Sequence, residues 1–342
     1  MLASCVEADD MTDERQQDTR SRLTSSRRRL LAAATLAPIA AGVPARAHAL
    51  SAGPTNHALV APVMTKLTDW ADVGRSLGRP GDMKRFMYHT GLPRRDLKVY
   101  SRGILIDPAL ALGTHVSFVR YADHSTLLMG DAVVTERELQ HFCDVLQQHG
   151  IMQTAIHKHL LAHEPDVWWV HLHAHGHDPV AVARGLRAAF DCTGTPPAQP
   201  ATPARPVDLD TAAIDAAMGV KGSADGKIYK SVYVRRETVA DGHMALPPGL
   251  GATTSVNFQP LGGGRAALSG DLVMIAGEVQ PALTALRRGG VELVEVHHHN
   301  LTDEPRLFFV HYWAVGNAVR LAKAVRRAVN VTNVVPMPGG SG

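Results

Sequence analysis

Apolar and polar residues alternate with a period of two along several short stretches of the chain and fall at helical spacing along others. The first pattern predicts strands near residues 86–89, 116–119 and 126–134, and a second set near 228–234, 255–258 and 266–275. The second pattern predicts helices over 69–77, 135–150 and 180–190, answered later by 211–218, a helix closing at Gly289-Gly290, and 318–329. Thr135-x-x-Glu138 has the form of a capping box, and Gly150 ends the helix it opens. Residues 151–160 with 167–174, and 291–299 with 306–313, read as hairpins. Hairpins segregated from helices predict an α+β fold: two tandem copies of a mostly antiparallel sheet with helices packed on one face.

The two sets are copies of one another. At an offset of 140, residues 108–177 align with 248–317 without a gap, and 22 of the 70 pairs are identical. Gly130-Asp131 meets Gly270-Asp271, His157-x-His159 meets His297-x-His299, Glu164-Pro165 meets Glu304-Pro305, and His171 meets His311. A unit of this length is a domain rather than a solenoid repeat. The expected organisation is a first repeat domain over 67–192, a Pro-rich linker over 193–207, a second repeat domain over 208–331 and a flexible tail over 332–342.

Period two also sorts the side chains of the first hairpin into faces. On 151–160 the even positions are mostly apolar (Met152, Thr154, Ile156, Lys158, Leu160), and the odd ones include His157 and His159. On 166–175 the even positions include Trp168, Val170, Leu172 and Ala174, and the odd ones are Val167, Trp169, His171, His173 and His175. The even face is expected on the helices, and the odd face carries the histidines. Facing pairs such as 157 with 173 and 159 with 171 would bring imidazoles to one ion at bonds of about 2 Å. An odd-sum register would separate them. The metal site expected in the first copy is therefore His157, His159, His171 and His173. His175, His297, His299 and His311 are weaker candidates that would complete the same site if the two odd faces met. Imidazole ligation suits a transition metal such as Zn or Cu.

Composition concentrates attention on that hairpin. The 342 residues contain 19 histidines against 7 Phe, 6 Tyr and 4 Trp, and seven of the histidines fall within 157–177. Apolar residues at 45% are ample for a core, and a formal charge of +3 leaves no electrostatic footprint for nucleic acid. Ser26-Arg27-Arg28-Arg29-Leu30-Leu31, a mild apolar run and Ala47-His48-Ala49 read as a twin-arginine-type signal peptide over 1–49, cleaved near Ala49, with 50–66 as an N-terminal tail. The chain is thus expected in the periplasm or secreted, with no transmembrane helix once mature. Of its 3 cysteines, Cys143 and Cys192 would remain, either bridged or as separate thiols.

Other candidates are thinner. Glu164, before Pro165 at the hairpin turn, and Asp131, after Gly130, are the available general bases or orienting carboxylates. For Gly130-Asp131 a β-bulge is the plainer account. Arg94, Arg95, Arg235 and Arg236 read as solvated charges or an anion site. No Gly-rich phosphate loop, His-Glu-x-x-His helix or Gly-x-Ser-x-Gly elbow occurs. The leading expectation is an exported protein that binds a metal ion or small ligand, in a binding, sensing or carrier role. The alternatives are a metal-dependent, hydrolase-like enzyme with its site in a cleft between the repeats, and a metal-free envelope interaction module.

The tandem order of Gly-Asp, His-x-His-x-Leu, Glu-Pro and a following His-bearing strand resembles the LppY/LpqO family of exported bacterial proteins. Residues 304–314, Glu-Pro-Arg-Leu-Phe-Phe-Val-His-Tyr-Trp-Ala, look especially like that family's second copy. His298 departs from the small residue usual between the two histidines. The resemblance covers most of 69–330 and implies export and the repeat boundaries, with no particular reaction.

Overall fold

The computed structural model describes residues 58–198 and 206–337. The signal segment over 1–49 lies outside the described residues, as do 50–57, 199–205 and 338–342.

A short 3-10 turn (Leu67–Trp70) leads into the first repeat. It contains α1 (Ala71–Leu77), β1 (Asp82–Lys84), β2 (Met87–Pro93), β3 (Tyr100–Ser101), β4 (Ile104–Leu105), α2 (Pro108–Ala111), β5 (Gly113–Arg120), β6 (Thr126–Thr135), α3 (Glu136–Gln148), β7 (Met152–His157), β8 (His163–Glu164), β9 (Val167–Gly176) and α4 (Pro179–Asp191). The second repeats the order: α5 (Thr211–Met218), β10 (Ser223–Asp225), β11 (Ile228–Arg235), β12 (Ala240–Asp241), β13 (Met244–Ala245), β14 (Thr253–Pro260), β15 (Arg265–Ile275), α6 (Ala276–Arg288), β16 (Glu292–His297), β17 (Asp303–Glu304), β18 (Leu307–Asn317), α7 (Ala318–Val329) and β19 (Val334–Pro336). The main sheets run β1-β2-β5-β6-β9-β7 and β10-β11-β14-β15-β18-β16, antiparallel throughout, with β19 added beside β11. The expected α+β architecture is the one observed.

Each sheet has two different faces. Val170, Leu172 and Ala174 on β9 pack with Phe142 and Leu146 of α3 and Leu186 and Phe190 of α4, as the even-face pattern requires. The opposite faces are buried by the other repeat. Met87, Val119, Leu127 and Met129 of the first sheet share a core with Val239, Met244, Leu246 and Leu250 of the second repeat's loop arm. Reciprocally, Ile228, Ala267 and Trp313 of the second sheet share one with Val99, Ile106, Leu110 and Leu112 of the first repeat's arm. The two sheets therefore lie between outer helical layers, and their inner faces are closed by an exchange of arms.

Two local readings change, and one left open is decided. Gly130-Asp131 is no bulge: β6 pairs in continuous register with β5 and with β9 across it. Glycine is needed because a Cβ there would lie 2.6 Å from the His115 carbonyl and 2.8 Å from Val116 Cγ1. Arg94 and Arg235 are buried rather than solvated. Arg94 donates to Glu138 Oε2 at 2.9 Å, to the Val133 carbonyl at 2.9 Å and to Asp96 at 2.8 Å, while Glu138 accepts the Thr135 N–H that opens α3. Arg235 holds Glu237 and Glu278 in the matching way, and only Arg95 and Arg236 face solvent. Cys143 and Cys192 are free thiols.

Candidate metal centre

The strands that end in His157 and His297, β7 and β16, are edge strands with a break in their alternation. β7 pairs with β9 as Met152 with His173 and Gln153 with Leu172, then resumes after a bulge as Ala155 with His171 and His157 with Trp169. β16 repeats this bulge between Leu293 and Glu295 against β18. The extra residue changes the strand's phase. Unbroken even-apolar alternation over 151–160 is thereby corrected: Met152 and Ile156 are exposed, at 46% and 45%. Beyond the bulge, same-face pairing holds, with the register slid so that His157 faces Trp169 instead of His173. His159 falls past the end of β7 and turns back, placing its Nε2 2.9 Å from that of His157.

His157 and His171 share the inner face, with ring centroids 4.6 Å apart. The inner faces of the two sheets meet at this place, so the second repeat's histidines join them. His297 stacks on His157 at 4.1 Å, His311 on His159 at 3.6 Å, and His299 lies against His171 at 4.0 Å. Ligand atoms of His157, His159 and His311 come within 4.8 Å of one another, as do those of His157, His171 and His297. Either group could hold a metal ion. Asp131 lies beside His171 in register and 3.3 Å from His159 Nε2; Asp271 lies beside His311 and 3.4 Å from His299 Nε2. Trp169 and Phe309, equivalent positions, stack on His159 and His299 and wall the cluster with apolar surface.

This environment keeps imidazole neutral. Burial, reinforced by repulsion among the rings themselves, pushes His157, His159, His171 and His297 well below the ordinary histidine value. The same causes bring His299 to about 3 and His311 to about 4. The short His159–Asp131 and His299–Asp271 contacts thus join a neutral ring to a carboxyl group and are not ion pairs. Burial, with Asp131 nearby, raises Asp271 to about 7. Neutral imidazole with a free lone pair is the form that binds metal.

The polar atoms here are short of partners. Nδ1 of His157, Nε2 of His171, both ring nitrogens of His297, Nε2 of His299 and of His311, and Oδ1 of Asp131 and of Asp271 are all buried without a hydrogen bond. Each buried group left without a partner costs roughly 1–3 kcal/mol. A coordinated cation would engage these lone pairs together.

The remaining candidates lie elsewhere. His173 is buried on the inner face, but its Nε2 is 2.6 Å from Asp241 Oδ2, whose other oxygen accepts from Thr302. His175 is exposed beside His243. Glu164 is exposed on β8, paired with Tyr100, outside the buried cluster. A cleft of about 320 Å³ at the seam between the repeats is lined by Lys158, Leu160, His163, Val294 and Glu295, among others, and by none of the six clustered histidines. Sequence reasoning missed Asp241, the partner of His173, and His115, which pairs with Asp131 across β5 and β6. Only the inter-repeat packing reveals the first, and only the register reveals the second.

Residues 71–192 and 212–331 each match one family, described as Domain of Unknown Function (DUF1259). The chain belongs to the DUF1259 family. Both copies of the DUF1259 domain supply histidines to the cluster, and both supply the aspartate behind them. No curated protein matches the chain. Among solved structures, a double-ringed trimeric shell protein of the RMM microcompartment is similar at 13% identity over 60% of this chain and 82% of its own, with a TM-score of 0.18. EtuB from Clostridium kluyveri is 12% identical over 77% and 98%, with a TM-score of 0.19. Likeness at these scores carries no inference about assembly or activity. Among the described residues, no helix is long and apolar enough to cross a membrane.

Proposed function

We propose that the protein binds a transition metal, Zn or Cu by ligand type, in a histidine centre built jointly by its two repeats, and that its role is to hold, sense or carry the ion. The supporting observation is the gathering of six imidazoles from both repeats, three buried and three partly buried, with six of their twelve ring nitrogens enclosed and unpartnered. A metal-free polar face would leave those atoms at full desolvation cost. Enclosure between two sheets supports retention over turnover, and the exposed Glu164 gives little support to a hydrolase in which it acts as base. We further propose export by the segment over 1–49 and membership of the LppY/LpqO group, on the sequence features given above.

Elemental analysis of untagged protein, produced by its native export route, tests the reading. Bound metal is expected in the wild type and its loss in the His157→Ala/His171→Ala double variant. Metal-free wild type, or a double variant that retains its metal, would overturn the proposal.

A further inference from the structure

Exchange of the repeats maps His157, His159 and His171 onto His297, His299 and His311, and Asp131 onto Asp271. The ring separations follow that exchange, with the widest departure at His157–His311 and its image His297–His171, 5.1 and 5.6 Å. His159–His311 and its image His299–His171 are 3.6 and 4.0 Å, and His157–His159 and His297–His299 are 4.9 and 5.2 Å. His157–His171 and His297–His311 are both 4.6 Å, and the imidazole–carboxyl contacts are 3.3 and 3.4 Å. His157–His297, at 4.1 Å, is its own image. The ring centroids therefore follow an internal pseudo-twofold, so an ion position away from its axis has an image in the other repeat; of the two trios related in this way, the ligand atoms of His157, His159 and His311 already lie within 4.8 Å of one another.

We propose that the centre holds two ions. His157, His159 and His311 take one, and His297, His299 and His171 take the other, so that each ion draws two imidazoles from one repeat and the third from its neighbour. This rests on the metal-binding reading above and adds the number of ions and their ligand sets. Donor supply is the first reason. A Zn-type ion is satisfied by about four ligands, whereas six imidazoles and two carboxyl groups converge here. The second reason is where unpartnered atoms lie. They include His157 Nδ1 and His311 Nε2 in the first trio, and His171 Nε2, His299 Nε2 and both nitrogens of His297 in the second. One ion in either trio would leave the other trio's nitrogens buried and unsatisfied. His157, also within reach of His171 and His297, marks where the trios touch. Asp131 and Asp271, one per repeat, are the carboxyl groups that would supply negative charge beside two close cations, each giving up any proton it holds as an ion binds. The exchange is imperfect next to the site, where Ala155 and His115 are replaced by Glu295 and Ser255. The two ions consequently bind with different affinities.

The test is the stoichiometry of Zn(II), and in parallel of Cu(II), on the metal-stripped full chain by equilibrium dialysis and elemental analysis. Two equivalents per chain are expected. His159→Asn and His299→Asn should each leave one, and the double variant none, with circular dichroism checking that each variant is folded. One equivalent in the wild type overturns the two-ion centre while leaving metal binding intact, and this arm does not depend on any variant folding. Two equivalents that both disappear in either folded single variant overturn the assigned trios. No binding of either metal by the wild type overturns this inference and the proposed function together.

Discussion

His173 and His171 sit two residues apart on the same face of β9, yet they have different surroundings. His173 spends one ring nitrogen on the buried Asp241, which leans in turn on Thr302. His173→Leu should therefore lower stability by roughly 1–3 kcal/mol, the cost of leaving a buried carboxylate short of a partner, while the bound metal is retained. Denaturant unfolding and elemental analysis on one preparation check both halves of that expectation. Glu138 makes a second case. Burial alone would raise its pKa, but hydrogen bonds from Arg94 and from the Thr135 and Gly194 backbone outweigh burial and hold it below the ordinary glutamate value. A carboxylate depressed in the folded state contributes stability that is fully present above the unfolded pKa, about 4.5. It is lost as pH falls through the lower, folded value. Glu138→Gln should cost roughly 1–3 kcal/mol at neutral pH, and the gap from wild type should close on acidification below about pH 4.5, as followed by urea midpoints.

At the scale of elements, β6 and β15 each pass their aspartate to the centre through a glycine pressed against the neighbouring strand. Gly130→Ala would drive a methyl group into the His115 carbonyl and Val116. Overpacking of this kind costs about 1–3 kcal/mol, and the same substitution at the solvent-facing Gly91, where a Cβ meets nothing within 4 Å, should cost much less. Comparing the two unfolding midpoints separates crowding from a general intolerance of alanine in strands. The sheets, the helices and the inner placement of His157 and His171 were legible because period two and period 3.6 report which side of an element is buried. The bulges in β7 and β16 were not, since an inserted residue alters phase without altering composition. Register escaped for a related reason: alternation fixes which face a residue joins, but not how far one strand slides along another. That is why His157 faces Trp169 rather than His173. Arg94 looked like a surface charge for want of any sign that Glu138, far along the chain, returns to it.

Across the whole molecule, the exchanged arms and the shared cluster make the repeats interdependent. Residues 58–198 alone would expose Val119, Leu127 and Met129, which the second repeat's arm covers. Expressed by itself, that half should bind hydrophobic dye and self-associate, whereas the full chain should do neither. Sequence comparison of the copies located both sets of histidines but could not tell whether they formed one centre or two, because nothing in one strand's pattern records what its exposed face will meet. The proposed function requires that they form a single shared centre. Metal retained by the full chain carrying His297→Ala, His299→Ala and His311→Ala together tests this most directly. All first-repeat histidines are intact in that variant, yet neither trio is complete, so it should retain no metal while the wild type does. Retention at wild-type level would mean that the first repeat binds alone, and would contradict a centre made by both.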